Sequence, residues 1–253
     1  MIIVKNNKEI ELMTKSGNIN YECHKLLEKY IKDGITTIEL NNIAESFIRE
    51  NNAEPSFLNY NGYPMAICTS INDEVVHGIP DKRKLSEGDI ISIDIGVIYE
   101  CMHSDCAKTY IVGKAKNKQD ELLVKATNEA LLSGLEKVKA GAKLGDVSSA
   151  IEAVAKKYNL GVIRELAGHG IGASLHEEPD ILNYGKSGSG ITLEEGMTLA
   201  IEPMFTLGSH EICILENDWT IVTKDGSNAA HCEHTIVVTK ESYKILTGDK
   251  KYG

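Results

Sequence analysis

Four carboxylates and one histidine are spaced so that the chain would bring them into one small volume. The first two carboxylates lie in SIDIGVIYECMHSDCAKTYIV, where residues 90–98 and 106–112 carry the β-branched enrichment of strands. A hairpin centred on Tyr99-Glu100 sets Asp94 directly opposite Asp105, with Cβ atoms about 4.5–5.5 Å apart. Two ionised carboxylates at ~5 Å repel by roughly 3 kcal/mol at an effective dielectric near 20, so a proton or a cation must sit between them. Glu202, at a strand end, and Glu233, in HCEHTIVVT, are symmetric about a turn at Asn217-Asp218. His169 stands in GHGIGASLHEEP, whose glycines let the backbone carry an imidazole close to such a centre.

Taken singly, each of these is more often a solvent-facing strand acid or turn former, or a structural loop histidine; the joint arrangement points to a metal centre. Oxygen-rich ligation with one imidazole suits manganese, iron or cobalt better than a thiolate-rich zinc site does. Five residues, four of them able to bridge, fit two ions, and a pair of ions can polarise a carbonyl for hydrolysis. A phosphate loop is excluded, because GHGIGAS lacks the lysine and the GxGxxG spacing. Two further histidines recur as H-x-x-P, at His77 to Pro80 and His176 to Pro179. Neutral imidazoles beside a dimetal centre exchange hydrogen bonds with a peptide group and pass protons.

The elements that must position these residues come as a repeat with a spacing near 107 residues. KYIKDGITTIEL from Lys29 resembles EKVKAGAKLGDV from Glu136, and LSEGDIISID (85–94) lines up with LEEGMTLAIE (193–202). One apolar stripe occurs twice at helical spacing, as Leu40, Ile43, Ala44, Phe47, Ile48 and as Val147, Ala150, Ile151, Val154, Ala155. Thr36 and Glu39 form a capping-box pattern ahead of the first stripe. Helix pairs followed by strands, duplicated once, predict an α+β fold with a site between two pseudo-symmetric halves, about 10–113 and 120–247, joined by a linker at KAKNKQD (114–120).

A net charge of −10 argues against nucleic-acid binding, which needs a basic face. No apolar run reaches the length of a signal peptide or membrane span. Six cysteines without a CxxC pair read as reduced thiols of a cytoplasmic protein; Cys101 and Cys106 find no second pair to complete a zinc site.

With these residues in place, the sequence resembles type I methionine aminopeptidases. The resemblance rests on GYP…CTSINDEVVHGIP, DIGVIYECMHSDCAKT, GHGIGASLHEEP, IEPM and WTIVTKDGSNAAHCEHT, in order from about Asn6 to Thr247. It implies the pita-bread fold around a central dimetal site, with two divalent ions (cobalt, manganese or iron). It further implies removal of the initiator methionine from nascent polypeptides with a small second residue, by attack of a metal-bridging hydroxide. The carried-over ligands are Asp94, Asp105, His169, Glu202 and Glu233, with Asp105 and Glu233 bridging and Glu202 also shuttling a proton. His77 and His176 match substrate-contacting catalytic histidines, and Tyr60, Tyr63, Cys68 and Trp219 match the methionine pocket. Implied as well are a cytoplasmic monomer, transient ribosome contact, and no membrane partner. Leu175, Phe57 and AAHCEHT depart from the commoner pattern, the last replacing Ser-Ala-Gln-aromatic before the glutamate; these put pocket shape in doubt, not the metal centre. Cys106 and Cys232 adjoin ligands but point to the opposite strand face.

Two rivals remain. A prolidase or proline-specific aminopeptidase would carry an extra N-terminal domain, for which this chain has no room. A non-catalytic relative that binds protein or RNA would have lost ligands, and all five are present. The chain begins Met-Ile, so an enzyme needing a small second residue is expected to retain its own Met1.

Overall fold

A computed structural model describes residues 2–249, so the expectation about Met1 falls outside the described residues. The chain opens with α1 (Asn7–Glu28) and α2 (Thr37–Glu50), then β1 (Glu54–Pro55), β2 (Ile67–Ile71), β3 (Glu74–Val76), β4 (Ile90–Tyr99) and β5 (Met102–Ile111). A second helix pair follows, α3 (Lys118–Leu135) and α4 (Leu144–Tyr158), then β6 (Gly161–Val162), β7 (Gly168–Gly170), β8 (Glu177–Ile181) and β9 (Thr198–Ile201). The remaining strands are β10 (Met204–Thr206), β11 (Ile212–Ile214), β12 (Ile221–Thr223), β13 (Ala229–His231), β14 (His234–Val238) and β15 (Tyr243–Ile245).

Thr36 caps α2 as its sequence indicates: its hydroxyl accepts the Glu39 N–H at 3.3 Å, and the Glu39 carboxylate accepts the Thr36 N–H at 2.9 Å. Leu40, Ala44 and Ile48 are fully buried and pack with Ile67, Ile91, Ile93 and Ile95 of the first sheet. Val147, Ile151, Val154 and Ala155 of α4 are buried with Leu199, Ile201 and Ile236 of the second, while Ala150 is only half-buried. Each large aliphatic side chain so placed contributes about 1.5–3 kcal/mol. The turn glycines repeat as well: Gly34 and Gly141 take φ of 86° and 87°, the left-handed region open to glycine.

Helix α1 is held differently. Ser16, Asn20 and His24, each four residues apart, are buried polar groups facing the β4–β5 hairpin. Ser16 donates to the Val97 carbonyl at 2.8 Å, Asn20 to that of Ile95, and His24 Nε2 to that of Cys106 at 2.9 Å. Buried polar atoms need such partners, and the hairpin carbonyls supply them.

Strand β4 carries β5 on one edge and β2 and β1 on the other. The hairpin turns at Glu100-Cys101, one residue later than its sequence suggests. Tyr99 pairs with Met102, Gly96 with Asp105 and Asp94 with Ala107. Asp94 and Asp105 are therefore not directly opposite; they are diagonal neighbours on one face, since Asp105 lies two residues from Ala107. Both turn residues adopt positive φ, 46° and 66°, as a two-residue primed turn requires. The expected linker is also shorter: Lys118-Gln119-Asp120 form the first turn of α3, capped by Asn117, whose side chain accepts the N–H groups of Gln119 and Asp120 at 2.9 Å.

From Thr198 to Val237 the chain folds back as one long interrupted hairpin. Thr198↔Val237, Ile201↔His234, Met204↔His231, Ile212↔Thr223 and Ile214↔Ile221 are all symmetric about the point between Asn217 and Asp218. The tip closes with the Leu215 N–H donating to Thr220 O at 2.9 Å and Asp218 at φ 62°.

A seam joins β5 to β13 and β14. Thr109 Oγ1 accepts the His231 N–H at 3.0 Å and donates to its carbonyl at 2.6 Å. Thr235 Oγ1 treats Asp105 in the same way, at 2.8 Å for both bonds. Between them the Glu233 N–H donates to Ala107 O at 2.8 Å. Two threonine hydroxyls thus stand in for ladder bonds. All six cysteines are free thiols, and among the described residues no helix is long and apolar enough to cross a membrane.

Candidate active site

Every site residue singled out from the sequence lines one cavity of about 450 Å³. Asp94 comes from β4 and Asp105 from β5. Glu202 and Glu233 sit where the second-half ladder is interrupted, beside Pro203, which has no N–H to donate. His169 is the middle residue of β7. A Cβ on Gly168 would lie 2.4 Å from Ala200 O, and one on Gly170 2.2 Å from Glu178 O. The two glycines therefore let β9 and β8 close on either side of the imidazole, which explains why the segment is glycine-rich.

Donor atoms of Asp105, His169 and Glu233 all lie within 4.8 Å of one another. His169 Nε2 is 4.0 Å from Asp105 Oδ2 and 3.8 Å from Glu202 Oε1. His169 Nδ1 donates to Gly170 O at 2.8 Å, which leaves Nε2 as the lone-pair nitrogen facing the carboxylates. Asp94 Oδ1 and Glu233 Oε1 are buried and have no hydrogen-bond partner among the described residues.

Burial, with Glu233 and Asp94 beside it, holds the Asp105 carboxyl well above the usual range. Burial and then Glu202 and Asp94 do the same to Glu233, and burial pushes Asp94 up to about 6. Burial would raise Glu202 too, but His231, His169 and His77 together hold it below its ordinary value. A fold that places orphaned carboxylate oxygens and one imidazole lone pair together fits a divalent cation with hard-to-borderline ligand preference.

The rest of the cavity is aromatic and apolar. His77 faces it from a backbone with φ 59°, its ring 6.3 Å from that of Trp219. Trp219 packs edge-on against Tyr63 at 5.0 Å, and the Tyr63 hydroxyl is tied to the carbonyls of Ile67 and Gly78. His176 is exposed; its Nδ1 is 2.8 Å from the Tyr60 hydroxyl and its ring 4.2 Å from that of His169. Cys68 is paired with Asp94 in the β2–β4 register, which sets a thiol beside the carboxylates; burial and then Asp94 raise its pKa, so the thiol stays neutral. Phe57 and Leu175, the two departures, are both part of the wall. Cys106 turns away, its Sγ 3.2 Å from Glu233 O.

One residue of the site has no counterpart in the sequence reading. His231 is buried, lines the cavity and brings Nε2 to 3.1 Å from Glu202 Oε2. Its signal was the departure AAHCEHT, together with the likeness of HCEHT to DCAKT (105–109).

Residues 11–240 match the model of metallopeptidase family M24. The methionine aminopeptidase of Clostridium acetobutylicum is 46% identical over 248 residues, covering 98% of this chain and 99% of that protein. The crystal structure of methionine aminopeptidase from Rickettsia prowazekii matches with a TM-score of 0.96 at 40% identity, over 98% of this chain and 100% of that one. The prolidase from Pyrococcus furiosus shares the fold at a TM-score of 0.80 and 25% identity, but 98% of this chain covers only 66% of it. With an α+β pita-bread architecture, a buried carboxylate–histidine cluster and relatives matched over their whole length, this chain belongs to metallopeptidase family M24, among its methionine aminopeptidases.

Proposed function

We propose that the chain hydrolyses the peptide bond after an N-terminal methionine, releasing the initiator methionine of nascent polypeptides whose second residue is small. One observation carries this reading: mutually repelling carboxylates with orphaned oxygens are buried in a cavity whose other walls are aromatic. Asp94, Asp105, His169, Glu202 and Glu233 would hold two divalent ions (cobalt, manganese or iron), with Asp105 and Glu233 shared, His169 and Glu202 completing one and Asp94 the other. Bound there, the ions supply Lewis acidity that activates water and polarises the peptide carbonyl.

The chain's own groups do the rest. Glu202, held anionic by its three imidazole neighbours, takes a proton from the attacking water and returns it to the departing amine. His77 and His176 hydrogen-bond the substrate's peptide groups; the Tyr60 hydroxyl on His176 Nδ1 leaves Nε2 for that contact. Tyr60, Tyr63, Cys68 and Trp219 receive the thioether, which aromatic edges and a soft sulfur favour. The same reading makes the chain one catalytic domain of two related halves, a cytoplasmic monomer in transient contact with the ribosome.

The test is release of free methionine by metal-stripped protein given Co(II) or Mn(II). Met-Ala-Ser is cleaved, Met-Ile-Ser is not, and Glu202→Ala abolishes cleavage. No release from Met-Ala-Ser with any of the candidate metals refutes the proposal.

A further inference from the structure

We propose that His231 is a positioning residue for Glu202, holding one carboxylate oxygen so that the other stays turned toward His169 and the metal centre; the proposal rests on the metal-binding reading above. His231 Nε2 lies 3.1 Å from Glu202 Oε2, and Glu202 Oε1 lies 3.8 Å from His169 Nε2. The carboxylate is thus bracketed by two imidazoles, one at each oxygen. His231 is 2% exposed, and its Nε2 makes no in-line hydrogen bond to any group among the described residues. A buried ring nitrogen at that distance and out of line needs a partner. A small rotation of either group completes an Nε2–H···Oε2 bond.

The backbone beneath the ring is built to hold it. The Thr109 hydroxyl accepts the His231 N–H and donates to its carbonyl, and Ser92 Oγ stands 2.8 Å from that hydroxyl. Asp105 is gripped in the same way by Thr235. DCAKT and HCEHT therefore meet across the seam with Asp105 and His231 in equivalent places. One strand gives the centre a carboxylate from that place; the other gives it an imidazole.

A carboxylate that gives one oxygen to a metal and accepts a hydrogen bond on the other is fixed in orientation, and such partners are worth about 10–100-fold in metal affinity.

The experiment titrates metal-stripped wild type, His231→Leu, His231→Asn and His231→Gln with Mn(II) by calorimetry. The visible spectrum of each Co(II) form is recorded, and unfolding of each metal-free form checks that it folds. Glutamine places an amide nitrogen where Nε2 stands; asparagine is too short. The expected result is a Kd for Mn(II) raised about 10–100-fold with an altered Co(II) spectrum in the Leu and Asn variants, and both restored in Gln. If Leu fails to fold, the Asn and Gln pair decides. Wild-type affinity in the Asn variant, or Gln as weak as Asn, overturns the proposal. Wild-type protein that binds neither ion overturns the metal-binding reading itself.

Discussion

Without metal, the cluster works against the fold, and Asp94 gives the size of the effect. Burial raises its pKa from an ordinary 3.8 to about 6. At 1.36 kcal/mol per pH unit, this amounts to about 3 kcal/mol of destabilisation when the group is ionised. The folded pKa lies above the unfolded one, so the penalty is complete above about pH 6 and is relieved as pH falls toward 3.8. Asp94→Asn, which removes the charge and adds a donor among acceptors, should therefore stabilise the metal-free chain by about 3 kcal/mol at pH 7.5. The gain should vanish at pH 4. Urea unfolding in chelator at the two pH values measures it, with a midpoint shift of about 1 M for a slope near 3 kcal/mol/M. In saturating Mn(II) the order reverses, because only the wild type gains the full binding free energy. A metal-free Asp94→Asn protein that is less stable at pH 7.5, or equally stabilised at pH 4, refutes the reasoning.

Thr235→Val removes both seam bonds to Asp105 and leaves a buried N–H unpaired; a loss of about 2–3 kcal/mol in urea unfolding is expected, and an unchanged midpoint would show that the hydroxyl does not hold the seam. His24 is buried neutral, its pKa pushed down to about 3 by burial and Lys108. The unfolded chain protonates it first, so stability falls by up to about 1.4 kcal/mol per pH unit below pH 6.5; His24→Gln should flatten that slope in urea titrations between pH 6 and 4.5. Gly170→Ala would set a Cβ 2.2 Å from Glu178 O and push β8 off β7; His169 shifts with it, and Mn(II) affinity measured by calorimetry should fall at least tenfold.

The carboxylates were legible because repulsion between acids on paired strands demands an explanation whatever the exact register. The register differs by one step at the β4–β5 turn, which closes on Glu100-Cys101 rather than Tyr99-Glu100. Glu100 and Cys101 adopt the left-handed backbone without the Asn-Gly signal that normally announces it. In the second half, the symmetry of Glu202 and Glu233 about Asn217-Asp218 survived because each interruption of the hairpin keeps both arms in step. The polar underside of α1 was invisible to a search for apolar periodicity, since Ser16, Asn20 and His24 are buried through hydrogen bonds. His231 escaped because the repeat was aligned near 107 residues, whereas DCAKT and HCEHT stand 126 apart in the numbering. The excursion through β10 to β13 displaces the second copy.

The seam also sets an order of events when the chain is made. Asp94 and Asp105 precede α3, whereas His169, Glu202 and Glu233 follow α4. Across the seam the Asp105 backbone is gripped by Thr235, which is synthesised 130 residues after it. With the ligands proposed above, the chain during its own translation therefore carries two crowded acids and no complete metal centre until Glu233 and the threonine two residues beyond it have emerged. On the proposed ligand set, a fragment that ends before Glu233 lacks a metal donor and should be inert for the same reason.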